Sequence, residues 1–308
     1  MLAWLVCATP ALAQPDLSRA IGSTVADRAS AWYVFSALRL AAADGQRRYR
    51  VRIATPKTPP PTAGYPVVYL LDGNAALMEL DAHLLDSLST LGDAPVLVFI
   101  ADDSALRIDA TGRSLDYTFA RFSDGRIETD PLNPQRRSGG AAAFAQLIAT
   151  RIRPQVAARV AVDTRRQTLW GHSYGGLFVL QVLLTQPQLF QHYVAVDPSL
   201  WWGDGFIVDQ ARRVVAAAQS PSVHTPQMLR GVTVMAGVSD PPARDQTRDT
   251  AKERPGRPRA DPQAAEDLVA LLSSLPGVKA DYRPLPGLTH GQTLGASLAP
   301  TLREAAAR

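Results

Sequence analysis

Cysteine is almost absent from this chain of 308 residues, in which Cys7 is the only one. The chain therefore has no internal disulfide framework. No apolar run reaches the roughly 20 residues that a membrane-spanning helix needs. No dense basic stretch is interleaved with aromatic residues, as nucleic-acid-binding proteins require. These absences argue against stable membrane insertion and against a nucleic-acid partner.

The overall composition is that of a globular protein with an ample core, with 46% hydrophobic and 19% charged residues. The formal net charge is +4, and arginine carries far more of the positive charge than lysine does. A charge of this size indicates at most a mild preference for anionic substrates.

The N-terminus has the features of a secretory signal. An apolar stretch leads to Ala11-Leu12-Ala13, which fits the small-x-small cleavage rule before Gln14, although no positive segment precedes it. The sequence therefore predicts a signal peptide over residues 1–13 and a periplasmic or secreted protein, from which Cys7 would be lost. Without cleavage and export, the protein would be cytoplasmic.

Strands alternate with helices along residues 14–308, with no internal repeat and no linker. Val67–Leu71 and Val96–Ile100 are continuous apolar runs, typical of strands buried on both faces of a parallel sheet. The pattern predicts a single α/β domain with a mostly parallel central sheet and helices on both faces. Residues 101–138 are polar and poorly periodic, and we expect a long functional loop there.

The chain is organised around Gly171-His172-Ser173-Tyr174-Gly175, a G-x-S-x-G motif. A short apolar strand precedes it and an apolar helix follows it. A serine between a strand and a helix is typical of a nucleophile elbow, which presents its hydroxyl at the sheet edge. Gly171 and Gly175 are expected because a side chain at either position would collide with neighbouring backbone.

A serine nucleophile needs a base, and the base should follow the last strand. His290 lies there, just before the closing helix, and is the candidate. The acid that orients the histidine usually follows the strand over residues 232–236, where Asp240 fits best. A Ser–His pair with no close carboxylate remains open.

Backbone N–H groups should stabilise the developing oxyanion. The sequence predicts the amides of Tyr174, after the nucleophile, and of Asn74, in the turn after the third strand. The His172 side chain is expected to flank the substrate pocket. The remaining histidines have no spacing that indicates a metal site, and the chemistry needs no metal or organic cofactor.

Taken together, these motifs resemble the esterase D-like esterase family of α/β-hydrolases, and within it the branch of trilactone siderophore esterases. Five stretches carry the resemblance: residues 65–74, residues 113–118, Gly171 to Gly176, Asp197-Pro198-Ser199-Leu200-Trp201-Trp202, and Thr289-His290-Gly291. The resemblance covers most of the chain from about residue 30 onward.

The resemblance implies the α/β-hydrolase fold, catalysis by Ser173 and His290, and esters of the enterobactin, salmochelin or bacillibactin type as substrates, with or without iron. It also implies that Trp201 and Trp202 wall the pocket and that the loop around Arg113 and Tyr117 faces the substrate. The tryptophans could instead be core aromatics, and Arg113 could be the partner in an ion pair.

Four arginines between residues 101 and 138 would suit an anionic ester through bidentate contacts: Arg107, Arg113, Arg121 and Arg126. The charged turn at 101–103 and the charged segment 241–262 depart from the family pattern, which leaves the substrate open. A general or feruloyl-type carboxylesterase and an acyltransferase are the alternatives, and a binding protein without catalysis is a rival of another class.

Overall fold

The protein is built around one sheet of eight strands in a computed structural model that describes residues 19–219, 229–238 and 262–308. The strands in chain order are β1 (Tyr33–Ala41), β2 (Arg48–Pro56), β3 (Tyr65–Leu70), β4 (Val96–Asp102), β5 (Phe122–Ser123), β6 (Arg126–Ile127), β7 (Thr129–Asp130), β8 (Asn133–Arg137), β9 (Val162–His172), β10 (His192–Val196), β11 (Arg230–Val238) and β12 (Val278–Pro286). The sheet has the order β1-β2-β4-β3-β9-β10-β11-β12, and β5–β6 and β7–β8 form two separate small hairpins.

The first two strands form a hairpin, and the rest of the sheet is mostly parallel. A turn at Gly45, with φ of 69° and its N–H donating to the carbonyl of Ala42, joins β1 to β2. The pairs β1–β2 and β2–β4 are antiparallel, and every other pair in the sheet is parallel. This confirms the predicted α/β class with a mostly parallel sheet.

The helices in chain order are α1 (Gly73–Met78), α2 (Ala82–Ser89), α3 (Ala110–Asp116), α4 (Ala141–Leu147), α5 (Arg153–Ala157), α6 (Tyr174–Thr185), α7 (Phe206–Ala218), α8 (Pro262–Ser273), α9 (His290–Ala296) and α10 (Leu298–Ala307). A 3₁₀ turn covers Val25–Asp27, and a π turn over Ile148–Ile152 joins α4 to α5. Within the described part of the chain, none of these helices combines the length and apolar character that a membrane crossing would require.

The helices cover both faces of the sheet. Successive residues of β3 point to opposite faces, so Val67 belongs to one buried apolar cluster and Val68 to the other. The first cluster includes side chains from α4, α6, α7 and α8: Phe144, Phe178, Ile207 and Leu268. The second includes side chains from α1, α2, α9 and α10: Leu77, Leu85, Leu294 and Leu302.

Residues 101–138 are more ordered than the sequence predicts, because they contain α3 and both small hairpins. Ion pairs, rather than an apolar face, hold α3 in place. The Arg47 guanidinium lies 2.7 Å from the carboxylate of Asp109 and 2.8 Å from that of Asp116. A helix fixed by charges leaves no apolar periodicity in the sequence, so the expectation of an unbroken loop was wrong.

Candidate active site

Ser173 occupies the turn between the last residue of β9 and the first residue of α6. Its backbone has φ of 63° and ψ of −116°, a conformation that residues with a side chain rarely adopt. Such a backbone costs on the order of 1–3 kcal/mol and persists only where its surroundings hold it. The predicted strand–serine–helix turn is therefore present, with strain at the serine.

The neighbouring strand β10 holds this turn. The Ser173 N–H donates to the carbonyl oxygen of Val196 at 2.8 Å, and the Ser173 carbonyl accepts from the N–H of Ser199 at 3.2 Å. The Ser173 hydroxyl lies 3.4 Å from that of Ser199, and Ser173 as a whole is buried. Two backbone hydrogen bonds to the end of β10 thus fix the serine at the sheet edge.

The two glycines of the motif differ in how tightly they are packed. A Cβ atom on Gly171 would lie 2.4 Å from the carbonyl oxygen of Gly175, which leaves no room for a side chain. A Cβ atom on Gly175 would meet nothing nearer than the Cβ of Leu71, at 3.6 Å, which is ordinary contact. The predicted crowding is confirmed at Gly171 and was wrong at Gly175, since Gly175 supplies the backbone against which Gly171 packs.

His290 is the first residue of α9, and a capping box between Thr289 and Gln292 fixes that end of the helix. Its Nδ1 atom lies 3.6 Å from the carboxylate Oδ2 of Asp197. Its ring centroid is 4.6 Å from that of His172, the residue directly before Ser173. The fold therefore brings the predicted base, from the far end of the chain, to the elbow.

His172 links the elbow to the helix that carries His290. It is buried, and its Nε2 atom lies 2.8 Å from the backbone carbonyl oxygen of His290. A carbonyl oxygen can only accept, so in this contact Nε2 carries the proton and donates it. The ring thereby ties β9 to the start of α9, and the expected place of His172 at the side of the substrate pocket stays a prediction.

Asp197, immediately after β10, is a residue of this site that the sequence reasoning missed. It is 1% exposed and has a φ of 40°. Val196 pairs with His172 in the parallel register, which places Asp197 beside Ser173. The signal was available in the sequence, because an acidic residue directly follows a buried strand next to the nucleophile strand. The previously expected acid, Asp240, lies outside the described residues.

The turn after β3 lies beside the elbow, as the sequence predicts for an oxyanion turn. Leu70 pairs with Trp170 in the parallel register, so the following residues reach the same edge of the sheet. The Asn74 side chain is buried, with Oδ1 accepting from Arg52 at 2.7 Å and Nδ2 donating to the Leu106 carbonyl at 2.8 Å. Its backbone amide lies in the first turn of α1, where N–H groups have no partner within the helix.

Tyr174 begins α6, so its amide lies in the first turn of that helix. Its side chain is buried, and its hydroxyl donates to Asp130 Oδ1 at 2.9 Å. The two candidate oxyanion amides, those of Asn74 and Tyr174, thus belong to the first turns of helices that follow adjacent parallel strands.

Arg113 has the ion-pair role that the sequence left open. Its guanidinium donates from Nε and Nη2 to the two carboxylate oxygens of Asp72, at 3.1 and 2.7 Å, and from Nη2 to the His172 carbonyl at 3.2 Å. Burial lowers the pKa of Arg113, but the charge and hydrogen bonds of Asp72, together with Tyr117 and Tyr174, raise it to a net value above the usual one. The guanidinium also lies between the rings of Tyr117 and Tyr174, 5.6 and 5.3 Å from their centroids.

Tyr117 is buried as well, and its hydroxyl accepts a hydrogen bond from the backbone N–H of Asp72 at 3.0 Å. Burial raises the pKa of Tyr117 well above its usual value. The resemblance implied that Arg113 and Tyr117 face the substrate. In the structure both side chains hold the turn that leads into α1, and their place toward the substrate stays a prediction.

The arginines expected to attract an anionic ester are mostly engaged with acidic side chains. Arg107 lies 2.8 Å from Glu79, and Arg121 lies 3.4 Å from Glu128. Arg126 is exposed at the tip of the β5–β6 hairpin. The positive charge available to a substrate is therefore smaller than the count of arginines indicates.

The two tryptophans have different environments. Trp202 is 1% exposed and packs against Phe119, with ring centroids 5.9 Å apart, so it is a core residue as the alternative held. Trp201 is only partly buried and lines a cleft of about 320 Å³, together with Asp197, Leu200 and Ala265. The pocket-wall role that the resemblance implied fits Trp201 and not Trp202.

Three potential metal ligands lie close together at the site. Ligand atoms of His172, Asp197 and His290 are all within 4.8 Å of one another. Two of these side chains also make hydrogen bonds within the site: His172 Nε2 contacts the His290 carbonyl, and Asp197 Oδ2 accepts from the Thr293 hydroxyl.

Comparison with known proteins places this geometry in a family. The chain is 42% identical over 199 residues to apo-salmochelin esterase of Escherichia coli, and the match covers 65% of this chain and 61% of that protein. It is 35% identical over 178 residues to ferri-bacillibactin esterase BesA of Bacillus subtilis, and this match covers 55% of this chain and 60% of that protein. The match therefore spans about three fifths of the length of each curated relative.

Among solved structures, the enterobactin hydrolase IroE in complex with DFP is similar over 92% of this chain and 99% of its own, with a TM-score of 0.72 and 32% identity. The BES protein from Bacillus cereus covers 88% of this chain and 95% of its own, with a TM-score of 0.68 at 23% identity, which is a likeness of fold. The family model described as "Putative esterase" matches residues 43–266. Because that match covers most of the chain, the protein belongs to the "Putative esterase" family.

Proposed function

We propose that this protein hydrolyses carboxylic esters through an acyl-enzyme intermediate on Ser173. The observation that supports this most is the convergence of three side chains at one edge of the sheet. Ser173 lies in a strained turn after β9, Asp197 follows the paired strand β10, and His290 Nδ1 lies 3.6 Å from Asp197. A hydroxyl, an imidazole and a carboxylate so arranged are the groups that acyl transfer needs.

The reaction follows from these positions. The Ser173 oxygen attacks the ester carbonyl carbon while His290 accepts the hydroxyl proton. The amides of Asn74 and Tyr174 donate to the oxygen that becomes negatively charged. The carbon–oxygen bond to the leaving alcohol then breaks, and His290 gives its proton to that alcohol. Water repeats the sequence on the acyl-enzyme, which releases the acid and restores Ser173.

For the substrate we propose a siderophore ester, including trilactones that carry iron as cargo. The support is similarity to apo-salmochelin esterase, ferri-bacillibactin esterase and an enterobactin hydrolase. The partly exposed Trp201 beside the cleft suits an aromatic acyl group, because aromatic rings pair favourably.

A hydrolysis panel tests the substrate class. Linear and macrocyclic catecholate esters, with and without iron, are compared with short acyl esters and feruloyl sugars. We expect the highest kcat/KM for the catecholate esters. Preference for the other two groups would reassign the protein as a general or feruloyl-type carboxylesterase, and partition of product toward added alcohols would make it an acyltransferase.

A serine-directed variant separates catalysis from mere binding. Ser173→Ala should lower kcat by roughly 10⁴–10⁶ while the protein stays folded, as nucleophile loss does in serine hydrolases. The matched control is Ser199→Ala, which removes the other buried hydroxyl 3.4 Å away. Equal turnover by wild type and Ser173→Ala would end the proposal and favour a protein without catalysis at this site.

We also propose export to the periplasm or the medium, based on residues 1–13, which lie outside the described residues. Cell fractionation with N-terminal sequencing should give a mature chain that begins at Gln14. A cytoplasmic protein that retains Met1 would contradict this.

A further inference from the structure

We propose that Asp197 positions the His290 imidazole, so that the acid of the site comes from the end of β10. This inference rests on the ester hydrolysis proposed above and concerns the same site. The usual place for the acid is the loop after the next strand, which is why Asp240 was expected. Asp197 is one strand closer to the nucleophile, directly beside it in the parallel register.

Two neighbouring elements orient the Asp197 carboxylate. Its Oδ1 accepts from the backbone N–H of Gly237 in β11 at 3.0 Å, and its Oδ2 lies 2.7 Å from the hydroxyl of Thr293 in α9. The backbone N–H of Asp197 also donates to the Met235 carbonyl at 2.7 Å. A carboxylate has about four acceptor positions, so Oδ2 can also accept from an imidazole.

The protons of this network can be assigned from its partners. The Thr293 hydroxyl lies near both Asp197 and the His290 carbonyl, at 2.7 and 2.8 Å, and its single proton goes to the charged oxygen. The His290 carbonyl then accepts from His172 Nε2. His172 and Thr293 thereby hold the backbone of His290, while Asp197 faces its ring.

The contact between Oδ2 and Nδ1, at 3.6 Å, is longer than a hydrogen bond. Catalytic hydrogen bonds are commonly long before substrate binds and tighten in the reacting complex. With Nδ1 protonated toward Asp197, the Nε2 lone pair of His290 is available to accept the serine proton. Asp197 thus selects the productive tautomer and stabilises the imidazolium that forms during reaction.

Burial strengthens this effect. Asp197 is 1% exposed, whereas the side chain of the control carboxylate Asp281 is 53% exposed and pairs with Arg283 in β12. A charge away from water interacts more strongly with a neighbouring imidazolium than an exposed charge does. Asp281 does not line the cleft beside Trp201, so it offers a matched aspartate that should not matter for catalysis.

The test compares Asp197→Asn, Asp281→Asn and Asp240→Asn in the full-length protein. Asp197→Asn should lower kcat by about 10²–10⁴, since the corresponding change in a serine protease costs about 10⁴, with little change in KM. Asp281→Asn should leave kcat within about twofold. Full activity of folded Asp197→Asn, or a comparable loss only in Asp240→Asn, would overturn the inference.

A pH profile distinguishes positioning from a structural role. Among the described residues, Asp197 and His172 are titratable groups that face the His290 ring. Removing a carboxylate disfavours the protonated imidazole, so the acid limb of kcat/KM should move to lower pH in Asp197→Asn. A lower kcat with an unmoved acid limb would assign Asp197 a structural role only.

If Asp197→Asn fails to fold, the wild-type protein still gives an answer. An Nδ1 proton shared with a carboxylate gives a far-downfield proton resonance, which should be present and should disappear in His290→Gln. Absence of that resonance in wild type would overturn the inference. Ser173→Ala separates the two claims, because loss of its activity upholds ester hydrolysis whatever Asp197 does.

Discussion

Two nitrogen atoms of Arg113 donate hydrogen bonds to the carboxylate of Asp72, and one of them also donates to the backbone carbonyl of His172. Asp72 begins the turn into α1, and His172 precedes the nucleophile. One guanidinium, fixed between two tyrosine rings, therefore joins the oxyanion turn to the elbow. The relative position of these two turns determines whether the oxyanion amides face the carbon that Ser173 attacks.

Arg113→Met should therefore reduce both stability and turnover. Breaking a buried ion pair leaves one charge uncompensated and costs about 3–5 kcal/mol of unfolding free energy. The control is Arg212→Met, which breaks the exposed pair with Asp209 and should cost no more than about 1 kcal/mol. Chemical denaturation and kcat are measured for both. Equal, small effects would show that Arg113 does not link the two turns.

The two motif glycines should respond differently to alanine. At Gly171 the new Cβ would overlap the Gly175 carbonyl oxygen at 2.4 Å, so Gly171→Ala should displace the elbow and lose about 1–3 kcal/mol and most of its activity. Gly175→Ala should fold with stability unchanged or up to about 1 kcal/mol higher, because alanine is the better helix former. Thermal unfolding and ester hydrolysis are measured for both variants. If alanine were tolerated equally well at both positions, the tight packing at Gly171 would be contradicted.

His192 should make stability depend on pH. Burial, and secondly the nearby Arg308 and Arg230, lower the pKa of His192 to about 4 in the folded protein, against roughly 6.5 in an unfolded chain. Between these values the unfolded chain binds more protons, so stability falls as pH falls from about 6.5 to 4. In His192→Gln the melting temperature should fall less over this range. The control is His83→Gln at an exposed histidine, whose melting temperature should vary with pH as that of wild type does. If the melting temperature of His192→Gln varied with pH as steeply as that of wild type, the lowered pKa of His192 would be contradicted.

The two tryptophans should separate stability from substrate binding. Trp202→Ala removes a buried core ring and should cost about 3–5 kcal/mol of unfolding free energy. Trp201→Ala should leave stability within about 1.5 kcal/mol and raise KM for aromatic esters more than for acetyl esters, since Trp201 lines the cleft. If Trp201→Ala lowered stability but left KM unchanged for both aromatic and acetyl esters, Trp201 would not be part of the substrate-binding site.

Local features of the site could be predicted from the sequence. The elbow follows from a serine spaced between glycines after a strand, and His290 follows from its place after the last strand. Both signals lie within a few residues of the group concerned. The order of strands and helices likewise follows from apolar patterning, which predicted the α/β class and the mostly parallel sheet.

What could not be predicted depends on partners distant in sequence. Asp72 and Arg113 are 41 residues apart, so the ion pair requires the fold before it can be recognised. An acidic residue after a buried strand is a weak signal in the sequence, and the register of β9 with β10 and the approach of α9 single out Asp197. The position of His172 in the motif does not indicate that its side chain is buried.

The most direct test of the central claim is mass spectrometric mapping of a fluorophosphonate probe, which phosphonylates an activated serine. Wild type should carry the probe on Ser173 and not on Ser199, whose hydroxyl lies only 3.4 Å away. His290→Gln should lose the labelling while remaining folded. Labelling at another serine, or undiminished labelling of Ser173 in His290→Gln, would contradict a nucleophile activated by that imidazole.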